Sequence, residues 1–339
     1  MKQLLLVLML NITGIIKGQL TDFPGVNFSR ADSIAVLYQG ANLSNLPQLT
    51  LKLTHNLPTE VEKFRALYTW ICRNIENDYL AYQKNKRKRE LFRNDSIKLA
   101  EWNRSFGKEM FHTLYHEQKT VCTGYAWLLQ EMANLAGIPC KIINGYARTS
   151  YSNVEQLSTL NHSWNAVKLN GKWYLCDPTW SSGNLYEHWG TTLFVQEYNE
   201  GFFLTDPAFF FRSHYPEDST WTLLHQKSGS ADFLDAPIVY NAAFKHRLNP
   251  ITPQGMHIQS TKRDTVLFSF RTTGKADVEK IYLELHSGSH SRTAQPTVHT
   301  YENGVLVLRY RFTKTGYYDL HLKIGDEYIA TYTASVTRH

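Results

Sequence analysis

The chain has 339 residues, of which 42% are hydrophobic and 19% charged, and a formal net charge of +6. Those proportions exclude a collagenous, low-complexity or disordered chain, and the length favours two domains over one. Four cysteines at this length exclude a disulfide scaffold, and no CxxC pair suggests zinc.

Met1-Lys2-Gln3 is a short basic start, Leu4 to Ile16 is an apolar run, and Lys17-Gly18-Gln19 restores polarity. This layout predicts a secretory signal over residues 1–18 and hence an exported protein, secreted or periplasmic. The segment has no Cys for lipid attachment, and no later stretch is long and apolar enough to cross a membrane. Phe28 to Gln39 and Pro58 to Ile75 read as helices. In the second, Thr59 and Glu62 stand at capping-box spacing, and Val61, Phe64, Leu67, Tyr68, Ile71 and Ile75 follow at helical spacing. Lys84, Lys86, Arg87, Lys88, Arg89 and Arg93 then cluster in one polar stretch. We read it as a solvated loop or helix face, because no nucleic-acid motif accompanies it and no nucleic-acid partner is predicted.

Phe106 to Glu117 suggests another helix. Thr120 to Ala136 is the clearest one, closed by Gly137 and Pro139. The period then becomes strand-like over Lys141–Ala147, His162–Leu169 and Lys172–Cys176, the last two joined by Asn170-Gly171. Ser181 to Phe233 is aromatic-rich and irregular. Beyond residue 240, strand patterns at Thr265–Arg271, Val278–His286, Val305–Arg311, Tyr317–Ile324 and Tyr328–Ser335 predict a β-sandwich over 241–339, with a surface on which a protein partner could dock.

Cys122 stands at the start of the strongest helix, where unpaired amides and the macrodipole favour a thiolate. If Asn170-Gly171 is a two-residue turn, Leu169 faces Lys172 and Trp164 faces Asp177. His162 and Asp177 then become diagonal neighbours on one face, roughly 7–8 Å apart at the backbone. A thiol, an imidazole and an orienting carboxylate are the parts of nucleophilic acyl transfer. Turn geometry does not itself bring Cys122 to the hairpin. Cys140 and Cys176 lie in strand-like segments that could be neighbours, and buried free thiols fit them better than a disulfide. His112 and His116 lack the Glu of a zincin motif, His286 and His290 flank a Gly-Ser turn, and no Gly-rich phosphate loop is present. No metal and no cofactor is predicted.

Three motifs carry a resemblance: Val121-Cys122-Thr123-Gly124-Tyr125-Ala126, Asn161-His162-Ser163-Trp164-Asn165-Ala166-Val167 and Trp173-Tyr174-Leu175-Cys176-Asp177-Pro178-Thr179-Trp180. Together they resemble the transglutaminase-like superfamily. Glu62 to Ile71, ending in Asn74 to Tyr79, resembles the helix that precedes the core in that superfamily, and Phe203-Leu204-Thr205-Asp206-Pro207 and His214-Tyr215-Pro216-Glu217-Asp218 are similar to its kyphoscoliosis-peptidase-like branch. The C-terminal region is similar to the immunoglobulin-like modules of that branch. The resemblance implies an α+β, papain-like core over residues 19–240, in which a nucleophile helix packs on an antiparallel sheet. It implies Cys122 as nucleophile, His162 as general base then acid, and Asp177 as its orienter. The backbone N–H of Cys122 is the first oxyanion candidate, with Gln118 and Trp102 as side-chain candidates. Thr123, Gly124, Tyr125, Trp164 and Trp180 are expected to line the cleft. Thr120 stands where a Gly is common, and Thr123 where an acidic or amide residue is common. The implied reaction passes through a thioester on a peptide or protein substrate, as a cysteine peptidase or amidase. A transglutaminase or deamidase, and a non-enzymatic peptide-binding module, are the competing readings.

Overall fold

Thr59 starts the helix on which the N-terminal half packs. A computed structural model describes residues 19–272 and 277–338; the signal read over residues 1–18 lies outside them. The Thr59 side chain accepts from the Glu62 amide at 3.3 Å and caps α3 (Glu60–Asn74), a contact of about 1 kcal/mol. Phe64, Leu67, Tyr68, Trp70 and Ile71 are fully buried, so α3 is a core helix rather than a surface one. Before it come α1 (Ser29–Leu37) and α2 (Leu46–Thr54). The sequence reading left 41–57 without an element. Its signals were Asn45, which accepts from the Gln48 amide, then Pro47 at the helix start and Leu46, Leu49 and Leu53 on one face.

The basic stretch folds as α4 (Tyr79–Leu91), in which no residue is fully buried, so the solvated-face reading describes a helix. The helix expected at 106–117 extends back to Ser96 as α5 (Ser96–Glu117), because Asp95 caps it by accepting from the Lys98 amide at 3.0 Å. Then comes α6 (Cys122–Leu135). It packs on β1 (Cys140–Ala147) and β2 (His162–Leu169), and Asn165 Nδ2 donates to the Ala126 carbonyl at 2.9 Å.

Asn170 and Gly171 both have positive φ, 49° and 82°, the geometry of a type I′ turn. It joins β2 to β3 (Lys172–Cys176) in the expected register, from Leu169 opposite Lys172 to Asn165 opposite Cys176. Asp177 follows and caps α7 (Pro178–Ser182). In the region read as irregular, residues 183–196 form a hairpin and β4 (His214–Pro216) completes an antiparallel sheet of order β3-β2-β1-β4. All four cysteines are free. Cys140 and Cys176 sit on opposite sides of β2, and strands two apart are separated by about 9–10 Å, beyond disulfide reach.

The C-terminal region packs two sheets face to face. One runs Leu248–Thr252, Thr265–Thr272, Val305–Arg311, Thr297–Glu302. The other runs His257–Thr261, Glu327–Thr337, Gly316–Ile324, Ile281–Ser287, His290–Ala294, and Ile238–Val239 also pairs with its longest strand. This arrangement is consistent with an immunoglobulin-like domain. One apolar cluster joins Trp164, Phe210 and Phe244 to Phe268, Leu283 and Leu320, so the sandwich rests directly on the first domain's core. Arg148, just after β1, holds the segment that leads into the sandwich: its buried guanidinium donates to the carbonyls of Phe233 at 3.0 Å and Leu234 at 2.6 Å. Burial lowers its pKa to about 10, which leaves it charged at neutral pH.

Gly145 lets β4 and the Trp164 ring close over β1. A Cβ there would lie 2.3 Å from the Tyr215 carbonyl oxygen and 2.4 Å from Trp164 Cη2. We predict that Gly145→Ala destabilises the protein by about 2 kcal/mol or more, read as a lowered urea midpoint; an unchanged midpoint would show that this approach is not tight.

Candidate active site

Val121, in extended conformation, makes the N-cap of α6 without a side-chain bond, and its carbonyl accepts from the amides of Gly124 and Tyr125. The amides of Cys122 and Thr123 come ahead of the first intrahelical bond. Cys122 is partly exposed, and Thr123 is exposed with its hydroxyl 3.4 Å from that of Ser163. Burial pushes the Cys122 thiol up, but a hydrogen bond and the charge from His162 and the Ser163 backbone N–H outweigh it and hold the thiol below its ordinary range. The other thiols go the opposite way. Burial raises Cys140 to about 12 and puts Cys72 and Cys176 well above the usual thiol value.

His162 is the first residue of β2, and its Nε2 lies 2.7 Å from Asp177 Oδ2. That leaves Nδ1 as the nitrogen facing the Cys122 thiol. Asp177 is completely buried, and its two oxygens have separate partners. Oδ1 accepts from the amides of Thr179 at 2.8 Å and Trp180 at 3.2 Å, the N-cap contacts of α7. Oδ2 accepts from His162 and also from His214 Nε2 at 3.1 Å. The backbone is held too, because Tyr68 on α3 donates its hydroxyl to the Asp177 carbonyl at 2.8 Å. Burial would raise the Asp177 carboxyl, but the His162 charge and the bonds from both imidazoles keep it well below the carboxylate range. Burial likewise lowers His162, yet the Asp177 charge and hydrogen bond carry it up to about 10. A buried carboxylate therefore favours the charged imidazole, and the charged imidazole favours the thiolate form of Cys122.

His162, Asp177 and His214 place three donor atoms within 4.8 Å of one another, the one group of metal-ligand spacing among the described residues. Their contacts, at 2.7 Å and 3.1 Å, are hydrogen bonds of ordinary length. His112 and His116 on α5 face each other with tilted rings, centroids 4.4 Å apart, and are not part of this group.

Residues 47–178 match the transglutaminase-like superfamily, a span that holds Cys122, His162 and Asp177. The chain carries a transglutaminase-like domain. Relatives include the kyphoscoliosis peptidase of Homo sapiens, 36% identical over 183 residues, which cover 53% of this chain and 24% of that protein. The kyphoscoliosis peptidase of Mus musculus is 29% identical over 270 residues, covering 76% of this chain and 38% of that protein. Hillarin of Drosophila melanogaster is 24% identical over 264 residues, covering 75% and 29%. The matched region is thus only 24% to 38% of the length of these relatives.

Within the transglutaminase-like domain, five of the expected positions sit otherwise than read. Gln118, in left-handed conformation after α5, donates its carboxamide to the Ala41 carbonyl at 3.0 Å. Trp102 donates its indole N–H to Asn85 at 2.9 Å and stacks on Phe106. Both side-chain donors are thus engaged elsewhere, Gln118 by a loop carbonyl and Trp102 by a neighbouring helix. Tyr125 lines no cleft: it is fully buried and donates to the Ile75 carbonyl at 2.5 Å, tying α6 to the end of α3. Gly124 is also buried, and a Cβ there would lie 1.9 Å from Thr120 Oγ1, so Gly124 and Thr120 occupy one space. Trp164, 1% exposed, backs the site rather than lining it, whereas the partly exposed Trp180 packs 5.3 Å from the His162 ring. His214 was missed as a site residue. It stood in a quoted motif, but only the pairing of Ala147 with His214 across β1 and β4 shows where it goes.

Selective reactivity is the direct consequence. Iodoacetamide at pH 7 should modify Cys122 at least about tenfold faster than any other cysteine, and His162→Ala should move the midpoint of its pH–rate profile upward, toward about 8.5. Equal labelling of all four thiols in the folded protein would contradict the geometry.

Proposed function

We propose that this chain is an exported cysteine peptidase or amidase that acts on peptides or proteins through a thioester. The observation that carries the reading is the 2.7 Å bond from His162 to a buried, fully bonded Asp177, on a ring whose other nitrogen meets a thiol at a helix start. The basic and apolar run at residues 1–16 supports export. The peptidase named among the relatives supports hydrolysis.

The Cys122 thiolate attacks the scissile carbonyl, and the carbonyl oxygen takes the negative charge beside the Cys122 amide. As the C–N bond breaks, His162 gives its proton to the leaving amine, and the acyl group remains on Sγ. Water then attacks the thioester while His162 takes its proton, and Sγ departs as thiolate to restore the ion pair. Asp177 keeps the imidazole in register and stabilises its charged form; it transfers no proton.

A quenched fluorescent peptide library separates the outcomes. Hydrolysis should be Cys122-dependent, with Cys122→Ala lowering it at least about 10³-fold. A dansylated primary amine should enter Gln-containing peptides more slowly than water cleaves the library. Faster amine incorporation would make the chain a transglutaminase, and cleavage retained in Cys122→Ala would remove the proposed nucleophile.

A further inference from the structure

His214 has features that the three-residue mechanism does not use. It is 1% exposed, its Nε2 lies 3.1 Å from Asp177 Oδ2, and its Nδ1 lies 2.9 Å from the Ser213 hydroxyl. The ring stacks on Phe210 with centroids 4.0 Å apart and meets Trp180 at 4.5 Å and Trp164 at 5.1 Å. Two titratable groups face it, Asp177 and the His162 ring, whose centroid is 5.4 Å away. The Phe210 carbonyl also lies on its protonatable side.

Building on the assignment of Cys122 as nucleophile, we propose that His214 is a positioning residue for this reaction: as a neutral imidazole it donates its Nε2–H to Asp177 Oδ2, which keeps the carboxylate ionised and aimed at His162. Chemistry explains why a His is used. Asp177 Oδ2 needs a second donor, because a buried carboxylate is costly wherever its oxygens lack partners. A Lys or Arg would supply one, but its fixed charge would compete with the imidazolium of His162 for the carboxylate. Neutral His214 gives an N–H without a charge. With the proton on Nε2, Nδ1 is left as an acceptor, and the Ser213 hydroxyl stands 2.9 Å from it in position to donate. Burial among aromatic rings lowers the His214 pKa to about 4 against the pull of Asp177. It is therefore uncharged throughout the neutral range, and its protonation on acidification would set a second cation beside His162.

The test measures alkylation of Cys122 against pH, so it does not depend on finding a substrate. In His214→Leu, the rate at pH 7 should fall by about tenfold or more, the effect of one lost hydrogen bond to a charged group. The acid limb should rise by about one pH unit. His214→Gln places an amide N–H near the position of Nε2 and should stay within about threefold of the wild type. A folded His214→Leu with wild-type rate and acid limb would overturn the proposal, and so would a folded His214→Gln as slow as the Leu variant. Should His214→Leu not fold, ¹⁵N NMR of the wild-type histidines decides. A neutral Nε2–H tautomer of His214 at pH 7 supports the proposal, and a cation or the Nδ1–H tautomer overturns it. Stoichiometric zinc uptake that His214→Gln abolishes would also overturn it, making His214 a metal ligand. If wild-type Cys122 is itself no more reactive than the other thiols, the nucleophile assignment fails instead.

Discussion

A carboxylate with no exposure to water is the constraint around which this domain is arranged. Asp177 would neutralise itself by taking up a proton if its burial were uncompensated. Four N–H groups prevent that: the amides of Thr179 and Trp180 on one oxygen, and the imidazoles of His162 and His214 on the other. Each donor comes from a different local decision of the chain. The amides belong to the first turn of α7, His162 to the start of β2, and His214 to the last strand added to the sheet. Tyr68, from the buried face of α3, fastens the same residue through its carbonyl.

The charge on Asp177 propagates outward in a fixed order. It raises His162, and His162 lowers Cys122, while the three thiols that lack an imidazole partner are raised, first by burial and, for Cys72 and Cys176, also by the Asp177 charge. The lowered pKa of one thiol among four is thus a matter of location relative to one buried ion pair. The sandwich contributes from behind. Phe210 and Trp164 belong both to the wall around His214 and to the apolar cluster that continues into Phe268, Leu283 and Leu320.

Much of this was legible in the chain, for reasons that differ by element. The β2–β3 register followed from Asn170-Gly171, because a type I′ turn leaves no freedom in which residues face each other. Thr59 announced α3 by a local cap. Elements whose signals are short or diluted by charge were lost: α2 hides behind Asn45 and Pro47, and the start of α5 behind Asp95. At the site, the residues tied to the hairpin were readable from spacing. Those whose roles depend on tertiary packing were not. Trp102 and Gln118 carry donors of the right type, but Asn85 and Ala41, distant in sequence, claim them. His214 shows the converse, since only a strand pairing with β1 brings it to Asp177.

The central claim is that the buried Asp177–His162 pair makes Cys122 hold an acyl group. Rapid acid quenching during turnover of a peptide substrate, followed by mass mapping, tests it most directly. The account predicts a hydroxylamine-sensitive thioester on Cys122, absent in Cys122→Ala. Turnover with no adduct on Cys122, or an adduct on another residue, would contradict it.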